Sequence, residues 1–557
     1  MQQRPWLKQY PLSVSHEIDP DAYPTAVSVA TEAFSKFKDK VAFENMGVGI
    51  TFAQLEKQVN HFAAYLQKVC GLKKGDRIAI QMPNVLQYPV VLFAALKVGL
   101  VVVNTNPLYT EREMEHQFKD SGAKAVVIMA NFASKLEDIL PRTQIKHIIV
   151  TEIGDMLGFP KGMIVSSVVK YVKKMVPLYN LPSAVSFKRA LILGALRNLD
   201  PVPLDSGDLA FLQYTGGTTG VSKGAMLSHR NVVANMQQIS AWMSPVLKEG
   251  VEVVITPLPL YHIFSLTVNC LSFMKVGGKN VLITNPRDIP AFVKELKRVP
   301  FTVITGVNTL FNGLLNNEEF RAMSFKTLKV SVGGAMAVQK AVAERWKETT
   351  GCPLTEGYGL TESSPVLSCN RIDGYEKIGT IGLPLPSTDI SIRDEDGKVV
   401  ANGEPGELCA KGPQVMRGYW QRPDETEKTI RDGWLYTGDI AIQTDDGYFK
   451  IVDRKKDMII VSGFNVYPNE IEDVVASHPG VLEVAAIGVE DEKSGEAVKV
   501  FVVKKNPALT AQAVKDFCRD KLTSYKVPKF VEFKDELPKT NVGKILRRAL
   551  REDGSKK

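Results

Sequence analysis

The sequence has few cysteines, and none of them is spaced for metal binding or disulfide exchange. Spacings such as Cys-X-X-Cys, which mark zinc and redox sites, do not occur. The six cysteines are scattered instead, at Cys70, Cys270, Cys352, Cys369, Cys409 and Cys518. Scattered thiols are typical of a protein in a reducing compartment. We therefore expect neither disulfides nor a zinc site.

A long hydrophobic run is also missing. The N-terminal stretch 1–11 contains no apolar core of signal-peptide length. The most apolar stretch, 90–103, is interrupted by Lys97 and Gly99, so it does not predict a transmembrane helix. The sequence therefore predicts a cytoplasmic protein.

Neither sign of charge dominates the composition. The 69 Lys and Arg exceed the 61 Asp and Glu by a formal charge of +8, which is mild for 557 residues. This excess is densest at the basic stretch 544–548, and it favours anionic ligands or surfaces without choosing between them. A chain of this length, 44% hydrophobic, is expected to form two or more domains.

Residues 214–224 concentrate glycines, hydroxyls and one lysine directly after a short apolar run. Glycines allow backbone N–H groups to approach anionic oxygens, threonine hydroxyls can donate, and Lys223 supplies a charge for terminal phosphates. The Walker A pattern does not fit, because Lys223 is followed by Gly224. A flexible connection between two elements is the open alternative. The predicted phosphate-binding residues are Tyr214, Thr215, Gly216, Gly217, Thr218, Thr219, Gly220, Val221, Ser222, Lys223 and Gly224.

Strand and helix patterns alternate over much of the chain. The apolar spacing predicts a helix over 51–69, with Thr51 and Gln54 as a capping box and Gly71 as its end. Further strands are predicted at 77–81, 100–103, 125–129, 253–256, 280–284, 302–305 and 328–332, and further helices at 86–97, 111–119, 289–297 and 338–348. This alternation predicts an α/β fold with two doubly wound parallel sheets.

The pattern changes toward the C-terminus. From about 378 to 452, short strands separated by Asp-Gly turns are typical of a small antiparallel β-barrel. Residues 453–557 read as a self-contained set of strands and helices with a basic tail. We therefore predict a large N-terminal domain, 1–452, of two doubly wound βα subdomains plus the barrel. A small, mobile α+β C-terminal domain, 453–557, follows the charged boundary at 453–457.

A basic amphipathic helix is predicted over 163–176. Its apolar side contains Ile164, Val165, Val168, Val169, Val172, Met175 and Val176, and Lys170, Lys173 and Lys174 lie opposite. Such a helix can lie on an anionic bilayer. Docking on its own protein, with a solvated lysine face, is the alternative.

The stretch 356–362 has the residues of a nucleotide–metal site. Tyr358 offers an aromatic face to a purine, Thr361 a hydroxyl to a phosphate, and Glu362 a carboxylate oxygen to Mg²⁺. Taken alone, such residues are more often found in turns. Together with a phosphate loop they complete a binding site.

Two later stretches add candidate polar groups. Asp439 follows a tight turn and can accept hydrogen bonds from ribose hydroxyls. Arg454 can reach ribose or phosphate, with a surface salt bridge as the alternative. Lys544 lies on a Gly-containing loop in the basic tail. It is either solvated or placed to offset the repulsion between a carboxylate and a phosphate.

In this order, these stretches resemble the adenylate-forming superfamily, which includes acyl-CoA synthetases, firefly-type luciferases and the adenylation domains of peptide synthetases. The stretches 432–440 and 453–472 are similar to the signature of the fatty acyl-CoA synthetases. The resemblance covers essentially the whole chain. It implies an ATP-dependent long-chain fatty acid–CoA ligase that forms acyl-AMP and pyrophosphate, and then acyl-CoA and AMP, to supply β-oxidation.

The resemblance also implies roles for individual residues. Lys544, Glu362 and Thr361 would be catalytic, Glu362 and Thr218 would bind Mg²⁺, and Asp453 would be the hinge. Besides the phosphate loop, the residues implied in nucleotide or CoA binding are Gly333, Gly334, Ala335, Glu356, Gly357, Tyr358, Gly359, Asp439, Ile451, Arg454 and Gly463. Those implied near the acyl group are His262, Phe264, Gly306, Val307 and Gly333, with a hydrogen-bonded core histidine as the alternative for His262.

The implied cofactors are ATP, Mg²⁺ and CoA, and the implied partners are a fatty acid, ATP and CoA, with no nucleic acid. A medium-chain ligase, a fatty acyl-AMP ligase that loads a carrier protein, and a non-catalytic nucleotide-binding membrane-uptake protein stay open. Peripheral association with the inner membrane and a homodimer stay open as well. No pattern in the sequence measures the acyl chain length.

Overall fold

A computed structural model describes residues 4–215, 222–491, 493–540 and 543–554. The chain is α/β, as predicted. Its strands form sheets of seven and nine strands and two sheets of five strands.

The strands are β1 (Val41–Asn45), β2 (Val48–Thr51), β3 (Arg77–Gln81), β4 (Val101–Asn104), β5 (Ala125–Met129), β6 (His147–Thr151), β7 (Val185–Ser186), β8 (Leu209–Tyr214), β9 (Gly224–Ser228), β10 (Val253–Thr256), β11 (Lys279–Leu282), β12 (Val303–Gly306), β13 (Val330–Gly333), β14 (Leu354–Gly359), β15 (Val366–Cys369), β16 (Leu383–Pro384), β17 (Asp389–Arg393), β18 (Gly406–Lys411), β19 (Ile430–Arg431), β20 (Trp434–Gln443), β21 (Phe449–Arg454), β22 (Ile459–Val461), β23 (Phe464–Val466), β24 (Val481–Asp491), β25 (Gly495–Lys504) and β26 (Phe530–Lys534).

The α-helices are α1 (Ala26–Lys36), α2 (Phe52–Ala64), α3 (Gln87–Lys97), α4 (Glu111–Ser121), α5 (Ala133–Ile139), α6 (Lys161–Ser167), α7 (Phe187–Ala195), α8 (His229–Met243), α9 (Ser272–Lys275), α10 (Ile289–Arg298), α11 (Asn308–Leu315), α12 (Glu318–Arg321), α13 (Lys340–Thr350), α14 (Pro423–Thr429), α15 (Pro468–Ala476), α16 (Ala511–Arg519) and α17 (Arg547–Gly554). Three π-helical turns extend or precede them, at Tyr65–Val69, Val168–Val172 and Ser265–Leu271.

The two larger sheets are the doubly wound sheets that the sequence predicts. The first has the order β7-β6-β5-β3-β4-β8-β9 and is parallel except for β9. The second has the order β16-β15-β14-β13-β12-β10-β11-β1-β2, with a parallel centre. Helix α3 is packed on all sides, since every residue from Gln87 to Leu96 is buried. Such burial is expected of a helix that is apolar all round.

Some boundaries differ from the prediction. The predicted helix over 51–69 begins with the expected Thr51–Gln54 capping box but changes to a π turn at Tyr65. The predicted helix over 163–176 consists of α6 and the π turn that ends at Val172. The early strands β1 and β2 pair with the second sheet, through β11. Sequence order did not reveal this pairing, because strand partners can be distant along the chain.

The third sheet, β17-β18-β20-β19 with β21 on β20, covers the predicted β-rich region. The Asp-Gly turns fall where expected. Asp432 and Gly433 join β19 to β20 with φ of 51° and 76°, as a two-residue hairpin turn requires.

The fourth sheet, β23-β22-β25-β24 with β26 on β25, has a core of its own. Its apolar residues pack with α15 and α16, in a cluster that includes Ile471, Val475, Val500 and Val514. An antiparallel bridge then joins Lys539 to Ile545, the residue after Lys544. The division into a large N-terminal and a small C-terminal unit agrees with the prediction.

Candidate active site

The candidate site lies beyond the carboxyl ends of β12, β13 and β14, where ligands bind in open parallel sheets. Glycines there allow segments that are distant in sequence to approach closely. A Cβ on Gly334 would lie 3.0 Å from Cε1 of Phe264, and a Cβ on Gly359 would lie 2.0 Å from the carbonyl oxygen of Pro365. Ala335 adopts a φ of 64°, which is uncommon for a residue other than glycine. These close approaches make the site compact.

Tyr358, Asp439 and Arg454 meet in this site. The hydroxyl of Tyr358 donates to Oδ2 of Asp439 at 2.6 Å, and Nε of Arg454 lies 3.4 Å from Oδ1 of the same carboxylate. Asp439 and Arg454 are cross-strand partners on β20 and β21. Burial, followed by the charge of Asp439, raises the pKa of Tyr358, so the phenol stays protonated. The surface-salt-bridge interpretation of Arg454 is therefore incomplete, because its carboxylate partner is buried.

Glu362 is held by a residue that the sequence did not indicate. Its Oε1 accepts from the hydroxyl of Tyr419 at 2.7 Å, and its carbonyl oxygen accepts from the backbone N–H of Met416 at 2.7 Å. Thr361 precedes it in a short 3₁₀ turn and is half-buried. One carboxylate oxygen of Glu362 is thus oriented by a neutral donor, and among the described residues no cation forms an ion pair with this carboxylate.

The phosphate loop is a connection between two antiparallel strands. Tyr214 pairs with Gly224 across β8 and β9, and the backbone N–H of Thr215 donates to the carbonyl of Lys223 at 2.9 Å. Ser222 accepts at its carbonyl from His116 Nε2, at 3.0 Å. The predicted residues Gly216, Gly217, Thr218, Thr219, Gly220 and Val221 lie outside the described residues.

Lys223 reaches the same neighbourhood as Glu362. Its ammonium forms an ion pair with Glu425 and lies 5.2 Å from the ring centroid of Tyr419. The hydrogen bond from Lys223 holds the pKa of Glu425 below its usual value. Tyr419 therefore connects the end of the phosphate loop to the candidate metal ligand. Tyr214, in contrast, donates its hydroxyl to Oδ2 of Asp120 at 2.7 Å and is buried, which is a packing role.

His262 is neutral in this site. Its Nδ1 accepts from the backbone N–H of Phe264 at 3.3 Å, so the ring proton is assigned to Nε2. Burial and then the nearby Lys544 lower the pKa of His262 to about 4. The hydrogen-bonded and active-site interpretations of His262 are thus compatible.

Lys544 comes into the site from the C-terminal unit. Its backbone N–H donates to Oγ1 of Thr540 at 3.1 Å, and the carbonyl of Gly543 accepts from Oγ1 of Thr309 at 3.2 Å. Burial is the main cause that lowers the pKa of Lys544 to about 7; Arg454 adds to it and Asp439 opposes it. Because the charges of Arg454 and Asp439 act on Lys544, and the charge of Lys544 acts on His262, Lys544 lies among these three residues. It is half-buried rather than a solvated tail residue.

Asp453 is buried at the start of the C-terminal unit. Its carboxylate accepts from the backbone N–H groups of Arg454 at 2.7 Å and Asn469 at 2.8 Å, and pairs with Arg547 at 3.3 Å. Burial nevertheless raises the pKa of Asp453. Since the residue joins β21 to α15 and α17, it occupies a suitable place for a hinge.

Most of the remaining predicted residues lie at this site, and Gly463 lies elsewhere. Ile451 and Tyr358 both pack against one apolar cluster, which contains the buried Phe264 and Val307. Glu356 accepts from the backbone N–H of Val338 at 3.3 Å, and burial raises the pKa of Glu356 to about 8. The glycines at Gly306, Gly333 and Gly357 lie against apolar neighbours. Gly463 is not brought to this site, because it lies exposed in the turn between β22 and β23.

The functional residues that the sequence did not reveal share one property, which is a distant partner. Tyr419 is 57 positions from Glu362, Glu425 is 202 positions from Lys223, and Arg547 is 94 positions from Asp453. No spacing pattern reports contacts of this range. Arg547, three positions after Lys544, could be seen in the sequence only as one residue of the basic tail.

Of the two predicted Mg²⁺ ligands, Glu362 is among the described residues and Thr218 lies outside them. The described part of the chain has no cluster of three or more His, Cys, Asp or Glu side chains arranged to hold a metal ion. In that same part of the chain, no helix combines the length and apolarity needed to cross a membrane.

Two family models match the chain. The model described as AMP-binding enzyme matches residues 30–420, and the model described as AMP-binding enzyme C-terminal domain matches residues 470–544. Together they contain most of the candidate site.

Individual proteins match over nearly the whole length. The chain is 59% identical over 548 residues to a long-chain-fatty-acid–CoA ligase of Escherichia coli O6:H1, and 53% identical over 550 residues to one of Haemophilus influenzae, with 98% of each chain covered in both cases. A crystal structure of an anthranilate CoA ligase with anthranoyl-AMP is similar with a TM-score of 0.86 at 25% identity, covering 97% of this chain and 99% of that one. The chain therefore belongs to the AMP-binding enzyme family, the adenylate-forming enzymes that include the acyl-CoA synthetases.

Proposed function

We propose that the protein is an ATP-dependent long-chain fatty acid–CoA ligase. The observation that carries the proposal is the position of Lys544, beside the Tyr358–Asp439–Arg454 cluster and His262. Relatives with up to 59% identity over 98% of the chain are named for this activity. Membership of the acyl-CoA synthetase family supports the use of ATP and CoA.

The first half-reaction activates the carboxylate. A carboxylate is a poor acyl donor because its leaving group would be oxide, so it attacks the α-phosphorus of ATP and expels pyrophosphate. The attack brings negative groups together, and protonated Lys544 offsets their repulsion. The neutral His262, with its proton on Nε2, donates toward the acyl carboxylate.

The nucleotide contacts follow from the arranged side chains. Asp439, held between Tyr358 and Arg454, accepts from ribose hydroxyls, and Tyr358 packs on adenine. Thr361 meets the α-phosphate. Residues 215–223 hold the β- and γ-phosphates, with Lys223 as their cation.

Mg²⁺ fits the donor set around Glu362. Mg²⁺ is usually bound by one or two carboxylates together with substrate phosphates and water, and Glu362 is a single carboxylate with one oxygen oriented by Tyr419. Thr218 is the second proposed protein ligand. When bound, the ion would neutralise phosphate charge.

The second half-reaction forms the thioester. The CoA thiolate attacks the acyl carbonyl of the adenylate and AMP leaves. Gly463 lies exposed in the β22–β23 turn, whereas Lys544 lies half-buried at the candidate site, so we propose that the C-terminal unit, 453–557, rotates about Asp453 relative to residues 1–452. The rotation brings the β22–β23 turn to the pantetheine path.

Three finer predictions belong to the same proposal. Cytoplasmic residence with peripheral contact at the inner membrane fits substrates whose long chains partition into bilayers, and cell fractionation tests it. A homodimer also stays a prediction, and light scattering of the purified protein tests it. The acyl wall is proposed to include Phe264, Gly306, Val307 and Gly333.

One experiment tests reaction class and chain length together. Pyrophosphate release is measured with acids from acetate to oleate, with and without CoA. We expect release to increase with chain length, because each buried methylene contributes about 0.8 kcal/mol, and AMP and acyl-CoA to accumulate only with CoA. Acyl-AMP that accumulates despite CoA would favour a fatty acyl-AMP ligase. ATP binding without pyrophosphate release would contradict the proposal.

A further inference from the structure

Residues 159–179, called here the 159–179 segment, expose an unusual number of large apolar side chains. Of the 22 large apolar side chains that are exposed within the described ranges, nine lie in this segment. They are Phe159, Met163, Ile164, Val168, Tyr171, Val172, Met175, Leu178 and Tyr179. Phe159 is 87% exposed, Val172 74% and Leu178 98%. A contiguous apolar surface of this kind usually marks an interaction site.

The segment is fixed by backbone and polar contacts rather than by burial of its apolar side. A Cβ on Gly162 would lie 2.2 Å from the carbonyl oxygen of Gly154, so the two glycines allow backbone contact at the start of α6. The backbone N–H of Gly154 donates to Oγ of Ser166 at 3.3 Å, and Nδ2 of Asn131 donates to the carbonyl of Met175 at 2.9 Å. The segment is therefore anchored at both ends while its outer side stays uncovered.

Few of its apolar residues pack inward. Val165 and Val176 are partly buried against two core clusters. In contrast, Ile164, Val168, Val172 and Met175, which lie on the predicted apolar side, are exposed. Docking of that side on the protein's own surface, the alternative considered from the sequence, is therefore wrong for these four residues.

The charged side chains of the segment itself have one sign. The stretch 156–199 contains no Asp or Glu and seven cationic residues, Lys161, Lys170, Lys173, Lys174, Lys188, Arg189 and Arg197. Among the described residues, no carboxylate forms an ion pair with Lys170, Lys173 or Lys174; Lys188 pairs at 3.3 Å with Asp155, just before the stretch. The exposed apolar surface therefore lies in a stretch whose own charges are all cationic, and the acids Glu152 and Asp155 lie at one edge of it.

The neighbouring helix α7 continues this surface. Lys188, Ile192 and Leu196 follow one another at four-residue intervals, which places them on one helix face, and the two apolar residues are exposed. Lys188 also lines a cleft of about 430 Å³ together with Met163 and Tyr171 of the segment, and the acids Glu152 and Asp155 line the same cleft. The surface therefore includes more than one element of the fold.

We propose that the 159–179 segment docks the protein on a bilayer that contains anionic phospholipids. Exposed apolar side chains enter the boundary between headgroups and acyl chains, and the lysines approach the headgroup phosphates. A second copy of the chain is a poor occupant, because an isologous contact would place the same cations opposite one another. The proposal rests on the proposed function only for the reason to visit a bilayer, which is that long-chain substrates reside there.

The test is co-sedimentation of the full-length protein with vesicles. Wild-type protein is expected to bind vesicles that contain phosphatidylglycerol and to bind much less to vesicles of phosphatidylcholine alone. Two variants change the segment, Val172→Asp with Leu178→Asp, and Lys170→Glu with Lys173→Glu and Lys174→Glu. Each is expected to weaken partitioning about tenfold or more, because basic residues near an anionic surface and buried apolar area both contribute to binding.

Matched controls change the same residue types elsewhere. Leu12→Asp with Val399→Asp alters two exposed apolar side chains outside the segment, and Lys294→Glu with Lys326→Glu and Lys340→Glu alters three exposed lysines of the second βα half. Both controls are expected to keep most vesicle binding. Thermal unfolding of every variant should match wild type, since the altered side chains are exposed.

The outcomes separate this proposal from the proposed function. Acyl-CoA formation from oleate in detergent micelles should persist in the segment variants, whereas formation from oleate in anionic vesicles should fall. A wild-type protein that ignores anionic vesicles, or segment variants that bind as wild type does, would overturn the docking proposal and leave the ligase assignment intact. Vesicle binding by a wild-type protein that lacks ligase activity would support the docking proposal and contradict the proposed function. Loss of a dimer in the segment variants, with no vesicle binding by wild type, would assign the surface to a second copy.

Discussion

At the scale of single residues, the ammonium of Lys544 has the most unusual environment in the site. Burial and Arg454 lower the pKa of Lys544 to about 7. The group is therefore protonated below about pH 7 in the free protein and becomes neutral as pH rises through that value. Only the protonated form can offset the charge that develops when carboxylate and phosphate approach.

We predict a pH dependence of activity from this loss of charge on Lys544. The kcat/KM for ATP in fatty acid-dependent pyrophosphate exchange should fall as pH rises above about 7, because kcat/KM reports groups of the free enzyme. Lys544→Arg should keep its charge and lose this fall, at reduced overall rate. Lys539→Arg, which changes a lysine paired with Glu483 at 2.7 Å, is the control. A flat wild-type profile between pH 6 and pH 9 would contradict the assignment.

Lys223 supplies a second prediction at this scale. Its ion pair with Glu425 must open before the ammonium can contact phosphate, and both side chains are about one-third exposed. We predict that Glu425→Gln lowers the KM for ATP about two- to fivefold, the range that a partly exposed ion pair contributes. Glu427→Gln on the same helix is the control, since Glu427 is exposed. A raised KM in Glu425→Gln would show that Glu425 helps nucleotide binding instead.

At the scale of secondary-structure elements, Arg547 joins three parts of the C-terminal unit. Its guanidinium pairs with Glu472 of α15 at 2.8 Å, with Asp453 at 3.3 Å and with Asp457 at 3.4 Å, and donates to Asn469 at 2.7 Å. The side chain of Asp453 is 0% exposed, that of Asp457 10% and that of Glu472 16%. The network therefore couples the start of α17, three residues after Lys544, to the hinge.

We predict that Arg547→Ala lowers the free energy of unfolding of the C-terminal unit by about 3–5 kcal/mol, because it leaves buried carboxylates without their cation. Urea unfolding followed by circular dichroism measures this effect. Arg548→Ala removes only an exposed pair with Glu552 and should cost less than about 1 kcal/mol. Equal effects of the two substitutions would contradict a special role for Arg547.

At the scale of the whole molecule, helix α11 is the surface on which the C-terminal unit rests. Nδ2 of Asn312 donates to the carbonyl of Leu482 at 3.1 Å, and Thr309 donates to the carbonyl of Gly543 at 3.2 Å. A Cβ on Gly543 would lie 2.8 Å from Oγ1 of Thr309. These contacts hold Lys544 over the site, in the orientation that we propose for adenylation.

We predict that Asn312→Ala slows adenylation about two- to tenfold, which corresponds to one lost hydrogen bond, and leaves thioester formation from supplied acyl-AMP unchanged. Single-turnover measurement of each half-reaction separates the two. Asn316→Ala is the control, because Asn316 follows α11 and contacts Asn312 and Arg345. Equal slowing of both half-reactions would indicate general destabilisation rather than loss of one orientation.

Sequence preferences between near neighbours determined much of the secondary structure of this protein. Apolar periodicity and the Thr51 capping box placed some elements of both doubly wound sheets to within a few residues, because those preferences act between near neighbours. These elements are α2, α3, α4, α10, α13, β3, β4, β5, β10, β11, β12 and β13, whereas α1, α7, α8, β6 and β14 were not predicted. The glycine- and threonine-rich loop, Tyr358 and Lys544 were visible as motifs for a similar reason. Tertiary structure decided what those motifs contact: Tyr419 beside Glu362, Arg547 beside Asp453, and β1 at the edge of the second sheet. It also decided that the apolar side of the 159–179 segment faces outward, since burial depends on which surfaces meet across the fold and not on their order along the chain.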